Sequence, residues 1–232
     1  EMCIRDRPQT GTEQVQEIAL SELHEFKGHP FKVLDDEKMQ ETMESIREHG
    51  VLMPGIARPM KDGGYEIIAG HRRRHACELV GLTTMPMFIR DYTDDEATII
   101  MVDSNIQRED IFPSEKAKAY FMKYEAVKHQ GKKGKGNSLD EVGETAGESA
   151  KTVQRYIYLA HLSDALLDMV DKKKIGIVQG VELSFLTEQQ QEWVQVVLEE
   201  TGVIISTVQA SRLKEYGKSD ELTLPMVRLI LT

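Results

Sequence analysis

A short apolar run that stops at a glycine and becomes strongly basic is the part of this sequence with the clearest potential for chemistry. It occupies residues 67–76 (IIAGHRRRHA), where Gly70 is followed by His71 and three arginines, the first two being Arg72 and Arg73. Glycine lets the backbone approach a ligand closely, and amide groups at a helix N-terminus, with arginines beside them, favour phosphate. The pattern predicts an anion site, and an ordinary solvated helix start stays open as the alternative.

The length and composition of the chain allow one or two domains. Of the 232 residues, 40% are hydrophobic, which is enough to build a core in each domain. Cys3 and Cys77 have neither metal-binding nor disulfide spacing, as is usual in a reducing compartment, and Cys77 is predicted to be a small core residue. No apolar run has the length of a membrane span. The sequence therefore predicts a cytoplasmic protein without a membrane partner, with residues 1–14 as a disordered leader.

Charge is distributed unevenly along the chain. The formal net charge is −10, which argues against indiscriminate binding to nucleic acid. Residues 116–175, however, contain twelve Lys or Arg and eight Asp or Glu, a net charge of +4, so the rest of the chain carries −14. A locally basic segment permits a DNA contact there, while the acidic remainder repels phosphate.

The first half of the chain alternates predicted strands and helices. Met39, Met43 and Ile46 form an apolar stripe at helical spacing, with Gly50 just past the end of the helix. Residues 61–64 have the composition of a hairpin turn. The predicted strands are residues 15–20, 56–60, 65–69 and 85–89, and the further predicted helices are residues 71–80, 94–102 and 114–129. These elements predict an α+β domain with a small mixed sheet over residues 15–129.

Only helices are predicted beyond a basic, glycine-rich connector at residues 128–137, which we interpret as a domain boundary. A helix beginning at Ser138 and a turn containing Gly147 precede a second helix at residues 150–159, which Ser149 is predicted to cap. Helix, tight turn and helix at this length is the helix-turn-helix arrangement. An all-α domain is therefore predicted over residues 130–220, followed by the start of a further region at 221–232.

The second helix of this pair has one apolar and one polar side. Val153, Ile157 and Leu159 are predicted to face the core. The polar side could reach base edges or phosphates in a major groove. The residues predicted to contact DNA are Ser149, Lys151, Thr152, Gln154 and Arg155.

Three motifs, taken together, resemble the ParB family of chromosome- and plasmid-partition proteins over roughly residues 15–215. Residues 65–76 (YEIIAGHRRRHA) resemble the phosphate motif of the family, usually Gly-Glu-Arg-Arg-x-Arg-Ala. Residues 103–110 (DSNIQRED) resemble its second motif, usually Glu-Asn-Leu-Gln-Arg-Glu, and Pro113 and Glu115 continue that motif. The helix-turn-helix follows at the distance that is usual in the family.

This resemblance implies a CTP-dependent DNA clamp. In the family, a homodimer loads at a short palindromic site, binds CTP with Mg²⁺, closes and slides onto neighbouring double-stranded DNA, and a ParA-type ATPase is a further partner. Carried over to this chain, the nucleotide would be contacted by Gly70, by His71 in the position of the family's glutamate, and by Arg72, Arg73, Asn105, Gln107 and Arg108. Asn105 would also hold the metal ion.

Two departures from the family pattern affect what the resemblance implies. Ser104 replaces a glutamate that in the family lies next to the metal and the hydrolytic step, so we expect CTP hydrolysis to be weak or absent. Residues 174–181 (KIGIVQGV) replace a segment that in the family carries a histidine and an arginine, so the DNA target is expected to differ. Two alternatives remain: a transcription regulator of this fold that does not use nucleotide, and an enzyme of this fold with phosphotransfer or nuclease chemistry.

Overall fold

The structure is a computed structural model that describes residues 14–108, 110–130 and 138–232. Apart from Gln14, the predicted disordered leader lies outside the described residues, and so does the connector from residue 131 to 137. The chain divides into two units, of which the first ends at Thr93 and the second begins at Asp94.

The first unit is built on a mixed sheet that has five strands among the described residues. The strands are β1 (Val15–Ala19), β2 (Leu23–His24), β3 (Gly55–Pro59), β4 (Tyr65–Ala69) and β5 (Thr84–Ile89). Their order across the sheet is β1-β5-β3-β4-β2. The pairs β1–β5 and β3–β4 are antiparallel, whereas β3–β5 and β2–β4 are parallel.

Two helices cover this sheet, α1 (Glu37–His49) and α2 (His71–Val80). The side chain of Asp36 caps α1 by accepting a hydrogen bond from the amide of Met39 at 2.8 Å, which satisfies one amide of the first turn. The helix buries the predicted stripe of Met39, Met43 and Ile46 in a core that also contains β4 and Cys77, which is fully buried. The predicted hairpin is confirmed, since the amide of Met60 donates to the carbonyl of Gly64 at 3.0 Å.

The second unit is helical throughout its described residues. Its helices are α3 (Asp94–Asn105), α4 (Pro113–His129), α5 (Ser138–Glu144), α6 (Ala150–Leu159), α7 (Asp164–Asp171), α8 (Ile177–Leu183), α9 (Glu188–Thr201), α10 (Thr207–Lys218) and α11 (Leu224–Leu231). They enclose a separate core that runs from Ala117 to Leu231 and includes Leu159, Leu166 and Val194. The predicted fold class, a mixed α+β unit followed by an all-α unit, is confirmed.

The division between the units lies earlier in the chain than the predicted domain boundary at residues 129 and 130. Helix α4 packs against α3 and also against α5, α6 and α7. Ser114 at its start donates from its amide and its hydroxyl to Asp171 of α7, at 2.9 and 2.5 Å. The contacts therefore group α3 and α4 with the helix-turn-helix. Where the independently folding domains begin and end stays a prediction.

Within the residues that the structure describes, none of the helices combines the length and the apolar character that crossing a membrane requires.

Candidate functional site

Gly70 makes the turn that joins strand β4 to helix α2. Its backbone has φ 114° and ψ 15°, a left-handed conformation that favours glycine. A Cβ atom at this position would lie 3.2 Å from the Cα of Gly55 and 3.4 Å from Arg73 and Met85. Its carbonyl accepts the amide of Arg74 at 2.9 Å, the first bond of the helix. The amides before Arg74, which belong to the first turn of α2, have no intrahelical partner and can bind an anion.

The two arginines assigned to phosphate make different contacts. Arg72 Nη2 donates to Asp36 Oδ1 at 3.1 Å, and this hydrogen bond is the main reason why the pKa of Asp36 lies below its usual value. Arg73 Nη1 donates to the carbonyl of Pro54 at 2.8 Å and also to that of Met53. Burial lowers the pKa of Arg73. Each guanidinium is therefore held in place, Arg72 at the start of α1 and Arg73 by the segment that leads into β3.

A cavity of about 410 Å³ adjoins Arg73. Helix α1 lines it through Glu41, Thr42, Ser45 and Ile46, and the segment from residue 50 to 53 lines the other side. Leu52 and Met53 of this segment are 70% and 72% exposed. The volume lies in the range of small-ligand sites, which are mostly apolar with a few polar groups.

His71 stacks on His29, with the ring centroids 3.8 Å apart and the planes inclined by 34°. Within the described part of the chain, its Nε2 atom is buried without a hydrogen-bond partner. The pKa of His71 is lowered from 6.5 to about 3. Burial is the largest cause, and the neighbouring His29 and Arg74 are further causes. His71 is therefore neutral at physiological pH. This stacking has no signal in the sequence, because 42 positions separate the two histidines.

The second motif lies in the second unit, at the end of α3. Asn105 is the last residue of α3, and its amide nitrogen donates to the carbonyl of Met101 at 2.9 Å and to Ser104 Oγ at 3.2 Å. The side-chain oxygen of Asn105 is the atom that a magnesium ion would require. The amide of Arg108 donates to the carbonyl of Asn105 at 3.1 Å. Gln107 Nε2 donates to the carbonyl of Thr145 at 2.9 Å.

Helices α5 and α6 form the predicted helix-turn-helix pair. The turn between them is held by the carbonyl of Gly143, which accepts the amides of Ala146 at 3.1 Å and Glu148 at 3.0 Å. Gly147 has φ 66°, as expected for a glycine in a turn. A Cβ atom on Gly143 would lie 2.3 Å from the carbonyl oxygen of Glu148, so the turn requires glycine there as well. This role of Gly143 was not predicted from the sequence.

Helix α6 presents the predicted DNA-contacting residues on its outer side. Val153, Ile157 and Leu159 are buried, which confirms the predicted inner side. Ser149 caps the helix by accepting the amide of Thr152 at 3.2 Å, as predicted. Ser149, Lys151, Gln154 and Arg155 are exposed and Thr152 is half-buried. The geometry fits a recognition helix, and the individual DNA contacts stay predictions.

A polar cluster behind the turn was not predicted. Glu148 accepts hydrogen bonds from the hydroxyl of Tyr120 at 3.0 Å and from the ammonium of Lys116. Burial, and then the neighbouring Glu148, raises the pKa of Tyr120 well above its usual value, so the phenol stays protonated. Because Lys116 and Tyr120 belong to α4, the cluster attaches Glu148 to that helix. Glu148 is the residue before the N-cap of α6. The sequence contains no local signal for this cluster, because Glu148 is 28 positions from Tyr120 and 32 positions from Lys116.

The protein side chains of the described residues provide few ligands for a metal ion. Among residues 14–108, 110–130 and 138–232, no group of three or more His, Cys, Asp or Glu side chains is placed to hold a metal ion. A magnesium ion that is held mainly by phosphate oxygens and water needs only one or two protein ligands. The amide oxygen of Asn105 is compatible with that role.

Comparison with known proteins identifies the family. A family profile described as ParB N-terminal domain matches residues 5–106. The probable chromosome 1-partitioning protein ParB of Deinococcus radiodurans is 32% identical over 209 residues, 90% of this chain and 69% of that protein. The chromosome-partitioning protein Spo0J of Thermus thermophilus is 30% identical over 205 residues, 88% of this chain and 72% of that protein.

Crystal structures of the C-terminally truncated chromosome-partitioning protein ParB from Caulobacter crescentus also align with this chain. In one the protein is complexed to the centromeric parS site, and in the other it is complexed with CTP-gamma-S. Both cover 86% of this chain and 98% of the other, with identities of 21% and 25% and TM-scores of 0.46 and 0.38. On the identity and coverage of the Deinococcus and Thermus relatives, this chain belongs to the ParB family of chromosome-partitioning proteins.

Proposed function

We propose that this chain is a CTP-dependent DNA-binding clamp that acts in DNA partition. The observation that carries the proposal is the arrangement around Arg73. Arg73 lines the 410 Å³ cavity. The same residue belongs to the first turn of α2, the helix that begins after Gly70. A cavity large enough for part of a nucleotide and a helix N-terminus suited to phosphate thus share one residue.

The triphosphate would be bound by the first turn of α2. The backbone amides of His71, Arg72 and Arg73 lie in this turn, which the left-handed conformation of Gly70 begins. Arg72 would exchange its contact with Asp36, and Arg73 its contacts with two carbonyls, for phosphate oxygens. A doubly charged phosphate group competes well for a guanidinium, because forked Arg–phosphate hydrogen bonds are charge-assisted.

Residues of the second motif are further proposed contacts of CTP and Mg²⁺. Asn105 would supply an oxygen ligand to Mg²⁺, and Gln107 and Arg108 are further proposed contacts of the nucleotide. Ser104 has a hydroxyl where the family has a carboxylate, and its Oγ donates to the carbonyl of Met101 at 3.0 Å. A neutral hydroxyl is a poor general base near pH 7. We therefore propose that CTP acts mainly as a bound ligand and is hydrolysed slowly or not at all.

Double-stranded DNA would be bound by α6. Lys151 and Arg155 provide exposed cations, and Gln154 provides an amide that could pair with adenine in a major groove. Ser149 and Thr152 at the start of the helix would contact phosphate. The proposed partners also include a second copy of the chain, brought together by nucleotide, and a ParA-type ATPase, and the proposed location is the cytoplasm.

A nucleotide titration tests this function. Calorimetry with CTP, UTP, ATP and GTP, each with Mg²⁺, should show selective binding of CTP that becomes tighter when cognate DNA is present. Arg73→Ala should weaken CTP binding about tenfold or more, because a charge-assisted phosphate contact contributes on the order of 2 kcal/mol. Arg47→Ala, which removes an exposed arginine in the last turn of α1, is the matched control and should bind CTP like the wild type.

The alternatives predict other outcomes of the same titration. If none of the four nucleotides gives binding heat while the protein still binds DNA, the chain is a regulator that does not use nucleotide. Rapid turnover of CTP stimulated by DNA would instead contradict the proposal that Ser104 weakens hydrolysis.

A further inference from the structure

Lys123 is a buried lysine in the second unit. This residue is 3% exposed. It belongs to α4, whose buried residues also include three alanines and Tyr120. Its Nζ atom donates to Asp103 Oδ1 at 2.6 Å, to the carbonyl of Val142 at 3.3 Å and to Thr145 Oγ1 at 3.2 Å. These three acceptors belong to α3, to α5 and to the turn that precedes α6.

The three hydrogen bonds match the donor capacity of the ammonium group. A lysine ammonium has three N–H donors and no acceptor, so each of its hydrogens has a partner here. A buried cation that loses a partner is costly, because the remaining charge is neither solvated nor paired. Asp103, Val142 and Thr145 can therefore move apart only at a substantial cost, because the ammonium group would lose a partner.

A second contact joins the same two regions. Gln107 Nε2 donates to the backbone carbonyl of Thr145 at 2.9 Å. Asp103 and Gln107 flank Asn105 in sequence, and both are bonded to the turn, Asp103 through Lys123 and Gln107 directly. The segment that carries the second motif is thus connected at both of its ends to the helix-turn-helix.

We propose that Lys123 is a positioning residue that couples the second motif to the turn of the helix-turn-helix. A change at residues 103–108 displaces Asp103 and, through Lys123, the turn that sets the position of α6. The same link acts in the reverse direction, since a coupling free energy between two sites is reciprocal. The proposal rests on the proposed function only in naming the ligands, CTP at one end and DNA at the other.

A purely structural role for Lys123 predicts a different result. In that case its loss lowers the stability of the second unit, and the two regions respond independently to local changes. Coupling, by contrast, requires that a change at the turn alters the second motif. Thr145→Val allows this comparison, because it removes one hydroxyl, keeps the shape of the side chain and retains the carbonyl that Gln107 contacts.

Hydrogen exchange on the full chain without ligand provides the first test. The amides of Ile106 and Arg108 report on the second motif, since they donate to Val102 and Asn105, and those of Ala146 and Glu148 report on the turn. Thr145→Val and Lys123→Met should each raise exchange at both pairs by about fivefold or more beyond any change at the amides of α9, which report a general loss of stability. Lys118→Met removes an exposed lysine from the same helix, 46% exposed and paired with Asp164, and should change neither pair.

The contradicting result is equally specific. If Thr145→Val raises exchange at Ala146 and Glu148 and leaves Ile106 and Arg108 unchanged, Lys123 does not couple the two regions. The experiment still decides the question if Lys123→Met fails to fold, because Thr145→Val makes the smaller change.

Ligand binding provides the second test. In the wild type, cognate DNA should tighten CTP binding, and Thr145→Val should reduce this tightening about fivefold or more while Lys118→Met retains it. An unchanged tightening in Thr145→Val contradicts the proposal. If the wild type binds no CTP, the proposed function fails, and the exchange experiment still decides whether Lys123 couples the two regions.

Discussion

His71 shows how a single residue can occupy the phosphate motif without contributing charge. Its ring stacks on His29, and the pKa is lowered to about 3 by burial first and then by His29 and Arg74. A neutral imidazole beside the first turn of α2 neither repels nor attracts a phosphate strongly. The cations that remain for phosphate recognition at this helix start are therefore the arginines.

The lowered pKa of His71 predicts a specific loss of stability in acid. The unfolded chain binds a proton at this residue below about pH 6.5, whereas the folded chain binds it only near pH 3. The unfolded state therefore binds more protons between these values, and the free energy of unfolding falls as the pH falls through this window. At pH 5 the loss attributable to His71 is about 2 kcal/mol.

Urea unfolding at pH 7.5 and pH 5 measures this effect. The wild type should lose about 2 kcal/mol more than His71→Gln between the two pH values, because glutamine does not titrate. His49→Gln removes an exposed histidine from the end of α1 and should behave like the wild type. An equal acid loss in His71→Gln and the wild type would place the titrating group elsewhere.

At the scale of the element, the turn between α5 and α6 depends on the absence of a side chain at Gly143. A Cβ atom there would approach the backbone oxygen of Glu148 to 2.3 Å and Val153 Cγ2 to 2.9 Å. Because the first of these neighbours is main chain, it cannot move aside without opening the turn. The position of α6 relative to α5 is therefore set by a glycine as well as by the burial of Val142 and Val153.

Gly143→Ala is expected to destabilise the second unit by about 3 kcal/mol, a cost typical of overpacking at a close backbone contact, and to weaken DNA binding. Gly202→Ala is the control, because it has a left-handed φ of 66° but nothing within 4 Å of the added Cβ. It should cost only about 1 kcal/mol of backbone strain and leave DNA binding intact. Chemical unfolding followed by circular dichroism gives both values, and equal losses in the two variants would show that steric contact at Gly143 is unimportant.

The elements that the sequence predicts correctly are those whose signals are local. The inner side of α6 and the hairpin of β3 and β4 follow from residue spacing and turn composition, which act over a few positions. The pair of Arg72 and Asp36 spans 36 positions and depends on how α1 and α2 pack, so spacing contains no signal for it. From spacing alone, Phe121 and Tyr124 are expected on the same apolar side of α4 as Ala117, Tyr120 and Val127.

The structure instead leaves Phe121 and Tyr124 half-buried and buries Lys123. A lysine at this position is stable only because Asp103, Val142 and Thr145 bind its ammonium group, and two of these residues come later in the chain. An apolar stripe predicted from sequence takes into account only the side chains of one helix. It contains no information about hydrogen-bond acceptors on other elements. The same limit applies to the candidate site. Its motifs could be identified in the sequence, but the hydrogen-bond partners of their arginines could not.

At the scale of the whole molecule, two separate cores raise the question of where the independently folding parts begin. The core of the first unit is formed by the sheet with α1 and α2, and the core of the second unit includes Ala117 of α4. Helix α4 also supplies Ser114 to Asp171, and Lys116 and Tyr120 to Glu148. These contacts favour a functional DNA-binding part that begins before α4.

Two fragments distinguish this boundary from the one predicted at residues 129 and 130. A fragment of residues 94–232 should unfold cooperatively, because it retains α3, α4 and the Lys123 contacts. A fragment of residues 130–232 should be less stable by about 3 kcal/mol or more, since it loses the buried aromatic ring of Tyr120 and exposes the back of α5 and α6. Thermal unfolding by circular dichroism gives the comparison, and residues 14–93 provide the matching fragment of the first unit. Equal stability of the two longer fragments would instead place the boundary at the basic connector, and α4 would then belong functionally with the sheet.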